Sequence, residues 1–514
     1  MKTASSGISP IISIDRDAPH PLHQQVYDAY RTAILDRSLR AGQRVPSTRM
    51  LAGELGISRL PILNAYAQLL AEGYFESRVG AGTVVSRLLP DQLTSTKLRT
   101  VPSSQKALCG PRLLSKRSSL LNRFNPAVWS RGWGAFGASQ VAFDQFPFRI
   151  WNSLVTRHCR RLKAESLDYG SPMGSLDLRE AIAAYIRTAR GVRCEANQII
   201  IVSGSQQALE ISTRVLLDPE TSVWMEEPGY RLARNVFAFN GCQIVPVPVD
   251  DSGLNVAAGI KQCPNARAVL VTPSHQYPLG VTMSASRRLQ LLDWAESSGS
   301  WIIEDDYDSE YRYESMPIPS LQGLDSNARV IYIGTFSKVL FPSLRLGYIV
   351  LPPDLVERFL AARLAMDISP AGFHQAVLAD FIREGHFSRH IRRMRLLYAE
   401  RRSVLIENIR EQLGPETEII GGQAGMHLSL TVDGIDDREI TNHAAEQRLW
   451  LVPLSSCYLS SPARQGFILG FGSTPVEQIP EAVSKLSALV NSNRNGRRRK
   501  ALPGTRMEAR AGWP

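Results

Sequence analysis

Short apolar segments that each end in polar or glycine-rich residues dominate the sequence between residues 126 and 490. Four of these segments are residues 199–202, 268–271, 301–303 and 330–333. Because every position in them is apolar, they are typical of strands buried on both faces, and helical segments lie between them. This alternation predicts an α/β domain with a mainly parallel sheet. In such sheets ligands bind beyond the carboxyl ends of the strands, where the polar residues fall.

Three of these strand ends carry groups that suit one cofactor. Gly204 leads from a strand into a helix, whose free N–H groups favour a phosphate. Residues 304–306 are three consecutive carboxylates, whose crowding is costly without a cation and therefore indicates a bound positive charge. Lys338 follows the fourth strand among hydroxyl residues, and Arg345 is suited to clamp a phosphate. An amine, an acidic partner for a ring nitrogen and a phosphate site together indicate pyridoxal phosphate.

The N-terminal segment has a different organisation. Residues 22–37 have the apolar spacing of a helix, Ser47 and Ser58 are candidate N-caps of two further helices, and Gly56 ends the first of these. Residues 74–85 predict two short strands around a glycine-rich turn. Helix, helix, tight turn, helix and hairpin are the order of a winged helix-turn-helix, which places its third helix in the major groove of DNA.

The charge of the chain is unevenly distributed. The net charge is +11, and Lys and Arg outnumber Asp and Glu by six in residues 91–125 and by six in residues 491–514. This asymmetry indicates a polyanion-binding end, although solubilising surface charge explains it equally well. Residues 89–125 are predicted to be a flexible basic linker, which either adds nonspecific DNA affinity or is a plain tether. Residues 491–514 are predicted to be a basic disordered tail.

Several classes of protein are disfavoured by the sequence. Its six cysteines lie far apart without a CxxC pair, which argues against a disulfide framework and a zinc site and predicts no bound metal. No stretch approaches the ~18 consecutive apolar residues of a membrane span. The N-terminus lacks the pattern of a secretory signal. We therefore expect a cytoplasmic protein with no membrane partner.

Specific residues extend the prediction for residues 20–88. They resemble the GntR-type DNA-binding domain at residues 46–49, 51–52, 55–59, 65–66, 69, 72–74 and 80–83. Pro61 stands where that family more often has Thr. The resemblance implies contacts with a double-stranded DNA operator through four side chains, Arg49, Ser58, Arg59 and Arg78. It also implies that Gly80 and Gly82 let the wing approach DNA closely.

Residues 126–490 resemble the fold-type I aminotransferases, which have a smaller α+β subdomain beside the large sheet. The whole chain resembles the MocR/GabR-type subfamily of GntR regulators. This implies that Lys338 forms a Schiff base with pyridoxal phosphate and that Asp305 faces the pyridine nitrogen. Further implied cofactor contacts are Ser205, Gln206, Thr335, Ser337 and Arg345 at the phosphate, Tyr307 at the ring oxygen, Tyr230 on the ring, and Tyr169 reaching the cofactor of a second subunit in a homodimer.

Two positions depart from working aminotransferases. Tyr277 stands where the enzymes usually have an Asn that holds the ring oxygen, and Ile468 stands near their Arg for the substrate carboxylate. Arg464 is close enough in sequence to replace that Arg, so Arg464 and Ile468 are candidate effector contacts. We therefore expect a transcriptional regulator, not an enzyme, that senses an amine, an amino acid or the cofactor itself. The alternatives are a working aminotransferase with an accessory DNA-binding arm, and a DNA-binding protein whose large domain serves only for dimerisation.

Overall fold

The structure, a computed structural model, describes residues 9–78, 82–87, 115, 132, 134–138, 140–313 and 318–501. Two compact units divide the chain, Met1–Leu113 and Leu114–Pro514, and each is described by itself. The predicted linker lies outside the described residues except for Ser115, as does Gly80 of the predicted wing. In the part of the chain that is described, no helix is long and apolar enough to cross a membrane.

The first unit has the predicted winged helix-turn-helix order. Its elements are α1 (Leu22–Leu35), α2 (Thr48–Leu55), α3 (Arg59–Ala71), β1 (Phe75–Arg78) and β2 (Gly82–Val85). The two strands pair antiparallel as a wing. Helices α1 and α3 pack against each other and the wing through buried apolar and aromatic side chains.

Local capping explains where α2 begins and ends. The hydroxyl of Ser47 accepts a hydrogen bond from the N–H of Met50 at 3.2 Å, which satisfies a donor of the first turn. Gly56 ends the helix with φ at +63°, a conformation that favours glycine. Beneath the helices, the rings of Tyr30, Tyr66 and Phe75 meet edge to face at centroid distances of 5.1–5.5 Å.

The second unit alternates helices with strands. Its helices are α4 (Phe148–Arg160), α5 (Leu176–Arg190), α6 (Ser205–Leu216), α7 (Arg231–Phe239), α8 (Val256–Gln262), α9 (Ala285–Ser298), α10 (Leu321–Leu324), α11 (Val356–Met366), α12 (Phe373–Arg383), α13 (His386–Leu413), α14 (Asp437–Glu446) and α15 (Ile479–Ala501). The strands are β3 (Ile199–Val202), β4 (Ser222–Glu227), β5 (Gln243–Asp250), β6 (Gly253–Leu254), β7 (Ala268–Val271), β8 (Trp301–Asp306), β9 (Val330–Thr335), β10 (Gly347–Val350), β11 (Thr417–Gly421), β12 (His427–Val432), β13 (Val452–Pro453) and β14 (Gly466–Gly470).

Eight strands form the large sheet in the order β3-β10-β9-β8-β7-β4-β5-β6. The pairs β9-β8, β8-β7, β7-β4 and β4-β5 are parallel, whereas β10 is antiparallel to both of its neighbours and β6 to β5. The prediction of a mainly parallel sheet is therefore confirmed. Since β3 and β9 flank the reversed β10, they run in the same direction and end at the same edge.

A smaller α+β part follows the large sheet, as the resemblance implied. Strands β11, β12, β14 and β13 form a four-stranded antiparallel sheet. Apolar residues of β12 and β14 are buried with residues of α13, α14 and α15 in one core cluster. The four-stranded sheet and the large sheet of this unit therefore share one hydrophobic core.

The prediction of disorder from residue 491 is wrong as far as Ala501, where α15 ends. The side chain of Asn493 accepts from the N–H of Asp436 at 3.0 Å and donates to Glu439 at 2.9 Å. Arg494 pairs with Glu416 at 3.2 Å. These tertiary contacts hold the helix beyond its apolar part and offset the low helix propensity of the Ser, Asn and Gly residues at 491–496. Residues 502–514 lie outside the described part.

A buried ion pair crosses the interior of the large unit. The guanidinium of Arg190 donates to the carboxylate of Asp306 at 2.7 Å, to the Ser274 hydroxyl at 2.6 Å and to the carbonyl of Ile318 at 3.0 Å. Tyr332 also donates to Asp306, at 2.6 Å. Burial alone would raise the pKa of Asp306, but Arg190 and the hydrogen bond from Tyr332 hold it below its ordinary value.

We expect Arg190→Met to lower the free energy of unfolding of the large unit by about 3–5 kcal/mol, because Asp306 would remain buried without its cation. The matched control is Arg187→Met on the same helix, whose exposed pair with Glu195 contributes about 0–1 kcal/mol. Urea unfolding followed by circular dichroism measures both. Equal losses for the two variants would contradict this assignment.

Candidate functional site

The predicted cofactor residues meet at the carboxyl edge of the large sheet. Gly347, the first residue of β10, lies opposite Val202 at the end of β3 and opposite Thr335 at the end of β9. Arg345 lies two residues before this reversed strand, so the reversal brings it to the edge where Gly204 and Lys338 also lie. Residues that are distant in sequence thereby surround one place.

The first side of the site is the start of α6. Gly204 precedes this helix with φ at +86°, and no side chain caps the free N–H groups of its first turn. A Cβ atom at position 204 would lie 3.3 Å from both terminal nitrogens of the Arg345 guanidinium, which itself donates to the carbonyl of Ser203. Ser205 and Gln206 are the first two residues of the helix. The helix N-terminus and the guanidinium together form a site for an anion.

Hydroxyl groups extend this anion site along β9. Thr335 ends the strand, and its buried hydroxyl accepts a hydrogen bond from the N–H of Ser337 at 3.2 Å. The hydroxyl of Ser337 is buried, and no residue in the described part of the chain bonds to it. A buried polar atom of this kind is costly unless a ligand supplies its partner.

Lys338 lies between two carboxylates in this region. Burial lowers the pKa of its amine from an ordinary 10.5 to about 8, and Asp308 and Asp305 oppose this shift. About a tenth of the amine is therefore uncharged at pH 7, compared with less than about a thousandth for an ordinary lysine. An uncharged amine is the form that attacks a carbonyl carbon.

Only one of the three consecutive carboxylates belongs to the site. Side chains alternate across β8; accordingly Glu304 accepts from the N–H groups of Leu321 and Gln322, and Asp306 pairs with Arg190. The positive charge that the sequence indicated is therefore supplied in part by the protein itself. Burial and Asp306 raise the pKa of the Asp305 carboxyl to about 7. The electrostatic interaction of Asp305 with Lys338 opposes this shift. Its Oδ1 atom is buried and has no partner among the described residues.

Three tyrosines form an aromatic wall next to these groups. The rings of Tyr230 and Tyr277 meet edge to face at 5.7 Å, and those of Tyr277 and Tyr307 at 6.3 Å. The amide of Gln206 donates to the Tyr230 hydroxyl at 3.4 Å, which ties the wall to the anion site. Burial and the nearby Asp305 raise the pKa of Tyr230 to about 12.

The two predicted effector contacts lie in different surroundings. Ile468 is fully buried on β14 in an apolar cluster with Leu279, Leu454 and Cys457, against which Tyr277 packs. Arg464 instead lines a surface cavity of about 550 Å³ that contains Glu416, Glu418 and Asp433. Tyr458 packs against the apolar cluster and also interacts electrostatically with Arg464. Burial raises the pKa of Tyr458, and Arg464 opposes this shift.

Tyr169 does not join the aromatic wall of its own chain. Its side chain is 77% exposed, and its N–H donates to the carboxylate of Asp168 at 2.7 Å. Its predicted role in a second subunit stays a prediction.

Sequence reasoning missed three charged or titratable side chains at the site. Arg231, the first residue of α7, acts electrostatically on Tyr230 and Tyr277 and lowers the pKa of both against the effect of burial. His275 and Asp308 form a buried pair beside Tyr307. Two of them could have been found from the sequence, because His275 lies two residues before the departure at Tyr277 and Asp308 belongs to the acidic segment after β8.

The candidate DNA-binding residues lie in the first unit. Arg49 and Arg59 are exposed near the starts of α2 and α3, and Arg59 donates to the Thr48 hydroxyl at 3.0 Å. Ser58 is the N-cap of α3, although its side chain makes no capping hydrogen bond. Gly82 begins β2 with φ at +82°.

The same unit presents further groups. Arg78 pairs with Gly82 through its backbone, while its side chain lies outside the described part. Leu60 and Leu63 of α3 are exposed apolar residues that the sequence interpretation did not include. Exposed apolar side chains on a helix that enters the major groove are suited to contact thymine methyl groups.

Comparisons with known proteins agree with both units. Residues 22–85 match the family of bacterial regulatory proteins of the gntR family, and residues 143–486 match the family of aminotransferase class I and II. The chain is 40% identical over 501 residues to the probable rhizopine catabolism regulatory protein MocR of Rhizobium meliloti, which covers 97% of this chain and 99% of that protein. It is 33% identical over 477 residues to the HTH-type transcriptional regulator TauR of Rhodobacter capsulatus, covering 91% and 95% of the two chains.

Solved aminotransferase structures resemble the large unit. The kynurenine aminotransferase of Pyrococcus horikoshii, solved in complex with PMP, superposes with a TM-score of 0.66 at 28% identity and covers 74% of this chain and 95% of its own. The relative that spans nearly the whole chain is a regulator, whereas the solved structure shares only the larger part. The chain therefore belongs to the MocR-type subfamily of gntR regulators, transcriptional regulators in which a gntR-type DNA-binding domain precedes a domain of the aminotransferase class I and II family.

Proposed function

We propose that this regulator binds pyridoxal phosphate at Lys338 and senses an amine, an amino acid or the cofactor itself at that residue. The observation that carries the proposal is the electrostatic interaction of Lys338 with Asp305 at the ends of the adjacent strands β9 and β8. The amine has a pKa of about 8, and the carboxylate facing it has a buried oxygen without a partner among the described residues. An amine that attacks aldehydes beside a carboxylate that stabilises a protonated ring nitrogen suits this cofactor.

The remaining residues fit the cofactor in size and charge. The start of α6, Arg345 and the hydroxyls of Thr335 and Ser337 supply donors for its phosphate. In this proposal Tyr230 would cover the face of the ring, and the hydroxyl of Tyr307 would donate to the ring oxygen. When bound, the cofactor supplies an aldehyde carbon whose amine partner can be exchanged.

Sensing then depends on competition for that carbon. An effector amine replaces the amine of Lys338, and the rest of the effector meets the apolar cluster around Ile468 and the cation Arg231. A ligand shifts a conformational equilibrium only through such differential contacts. The apolar surroundings of Ile468 disfavour a carboxylate there, which supports a sensor more than a general aminotransferase.

The proposal includes a cytoplasmic homodimer that binds a double-stranded operator. A two-fold dimer presents two winged helices, and a repeated half-site matches that symmetry. The large exposed fraction of Tyr169 supports its role at a second subunit's cofactor, because an exposed tyrosine beside a polar loop has no role in its own core. Arg464 remains a second candidate for the effector's far end.

We expect Arg59→Ala and Arg49→Ala to weaken operator binding without changing bound cofactor, because both side chains are exposed at the helices that approach DNA. Loss of a base contact raises the Kd by about tenfold or more, and loss of a phosphate contact lowers the salt slope by about 1. Fluorescence anisotropy at several salt concentrations measures both, with the exposed Arg37→Ala as the matched control. Wild-type affinity in both test variants would refute the assignment.

The test of the sensing proposal is Lys338→Ala. We expect this variant to lose the cofactor absorbance and the response to effector while operator affinity stays within about twofold of wild type. The measurement is operator binding and in vitro transcription across a panel of amines and amino acids, with Lys485→Ala, an exposed lysine, as the control. A normal effector response in Lys338→Ala would disprove sensing at this amine. Sustained turnover of an amino acid with a keto acid by the wild type would favour the enzyme instead.

The pKa of Lys338 predicts a pH dependence. Because burial lowers this pKa from 10.5 to about 8, the rate of pyridoxal phosphate uptake by apo-protein should rise with pH and level off above about 8. Asp308→Asn should move the midpoint to lower pH, since the Asp308 carboxylate opposes the effect of burial. Stopped-flow absorbance measures the rate. A midpoint near that of an exposed lysine would contradict the proposed environment.

A further inference from the structure

A buried hydrogen-bonded chain lies behind the aromatic wall. Nδ1 of His275 lies 2.9 and 3.1 Å from the two carboxylate oxygens of Asp308. The same nitrogen lies 3.1 Å from the hydroxyl oxygen of Tyr307. The side chains of His275 and Asp308 are each only 1% exposed. Tyr307 is thus joined to a carboxylate through one imidazole nitrogen.

Close packing holds the imidazole in one orientation. Gly425 has φ at +71°, and a Cβ atom there would lie 2.0 Å from Cε1 of His275 and 2.5 Å from a carboxylate oxygen of Asp308. The N–H of Met426 donates to Asp308 at 3.2 Å. On the other side the ring of His427 lies 4.7 Å from that of His275. The pair therefore has little freedom to rotate away from Tyr307.

The hydrogen-bond roles in this chain follow from its chemistry. A carboxylate only accepts, so Nδ1 of His275 carries the proton that points to Asp308. The Tyr307 oxygen faces the same N–H and therefore accepts from it. Burial, together with Asp308 and other neighbours, raises the pKa of Tyr307 well above its ordinary value, so its hydroxyl keeps its own proton. That proton must point away from His275. The titratable groups that face this hydroxyl are Asp308, Tyr277, Asp305, Glu226 and His275.

We propose that His275, held by Asp308, is a positioning residue that makes the Tyr307 hydroxyl a hydrogen-bond donor toward the ring oxygen of the cofactor. This inference rests on the proposed binding of pyridoxal phosphate. It assigns a role to the histidine two residues before Tyr277, the residue that stands where the enzymes usually have an Asn. Without that Asn, a fixed tyrosine donor would supply a neutral contact for the ring oxygen.

A metal ion is a weaker explanation of the same cluster. His275, Asp308 and His427 have ligand atoms within 4.8 Å of one another. Nε2 of His275 is buried without a partner among the described residues. However, Asp308, the second candidate ligand, is already engaged by Nδ1 of His275 and by the N–H of Met426, and Nε2 of His427 lies 3.1 Å from the carbonyl of Pro278. Lys338 also acts electrostatically on both Asp308 and His427, and a second cation nearby would be repelled.

The test compares His275→Phe, which keeps an aromatic ring without nitrogen, with His275→Asn, whose amide replaces the Nδ1–H donor. Equilibrium titration gives the Kd for pyridoxal phosphate. The absorbance of the loaded protein, recorded as a function of pH, gives the midpoint pH of the absorbance change. We expect His275→Phe to raise the Kd by about tenfold, the effect of one lost hydrogen bond. Its midpoint should shift by about half a unit or more, in the direction found for Tyr307→Phe. His275→Asn should restore both values to within about threefold and about 0.2 unit of wild type.

The double variant His275→Phe, Tyr307→Phe separates positioning from a merely structural role. If His275 acts through Tyr307, the double variant binds the cofactor no more weakly than Tyr307→Phe alone. A wild-type Kd and midpoint in folded His275→Phe, or additive losses in the double variant, would overturn the inference. If His275→Phe does not fold, Asp308→Asn is coupled to Tyr307→Phe in the same way, and additivity is again the contradicting result. Failure of the wild type to bind pyridoxal phosphate would instead refute the proposed function.

Discussion

The ion pair between Arg190 and Asp306 allows the large unit to bury three consecutive carboxylates at the end of β8. It neutralises one member of a row of three carboxylates in the interior, where an unpaired charge would be very unfavourable. Glu304 is satisfied separately by two backbone N–H groups. Asp305 is left as the carboxylate that faces Lys338. The strand can therefore carry an acidic group into a buried site because its neighbours on the opposite face are already compensated.

The reversed strand β10 has a comparable effect on the anion site. The neighbouring strands β3 and β9 end at the edge of the sheet where β10 begins. Arg345 therefore lies beside Gly204, although more than a hundred residues separate the two in sequence. Arg345 itself has φ at +50°, which is unusual for a residue other than glycine. This conformation places the guanidinium of Arg345 against the start of α6. The guanidinium and the free N–H groups of the helix both favour an anion there.

Protonation states connect these parts to the proposed sensing. Burial lowers the pKa of the Lys338 amine and raises those of Asp305 and Tyr307, so it shifts each group toward its neutral form. A lysine that is readily uncharged can be displaced and can return, which is what an exchangeable sensor requires. In the proposed sensor, the apolar cluster at Ile468 disfavours an effector whose carboxylate would lie at that position.

The sequence by itself predicted the two kinds of domain, the carboxyl edge as the location of the site, and Lys338 and Arg345 as candidates for its chemistry. Asp305 was singled out only by the resemblance to the fold-type I aminotransferases. These features are local, since apolar periodicity, capping residues and short motifs act over a few residues. The sequence treated residues 304–306 as one acidic cluster and did not identify His275 as a partner of Tyr307. Only the tertiary structure decided these points, because strand alternation, the reversal of β10 and the packing of Gly425 bring together residues that are far apart along the chain. The same reason explains α15, whose extension past residue 491 depends on contacts of Asn493 and Arg494 with distant elements.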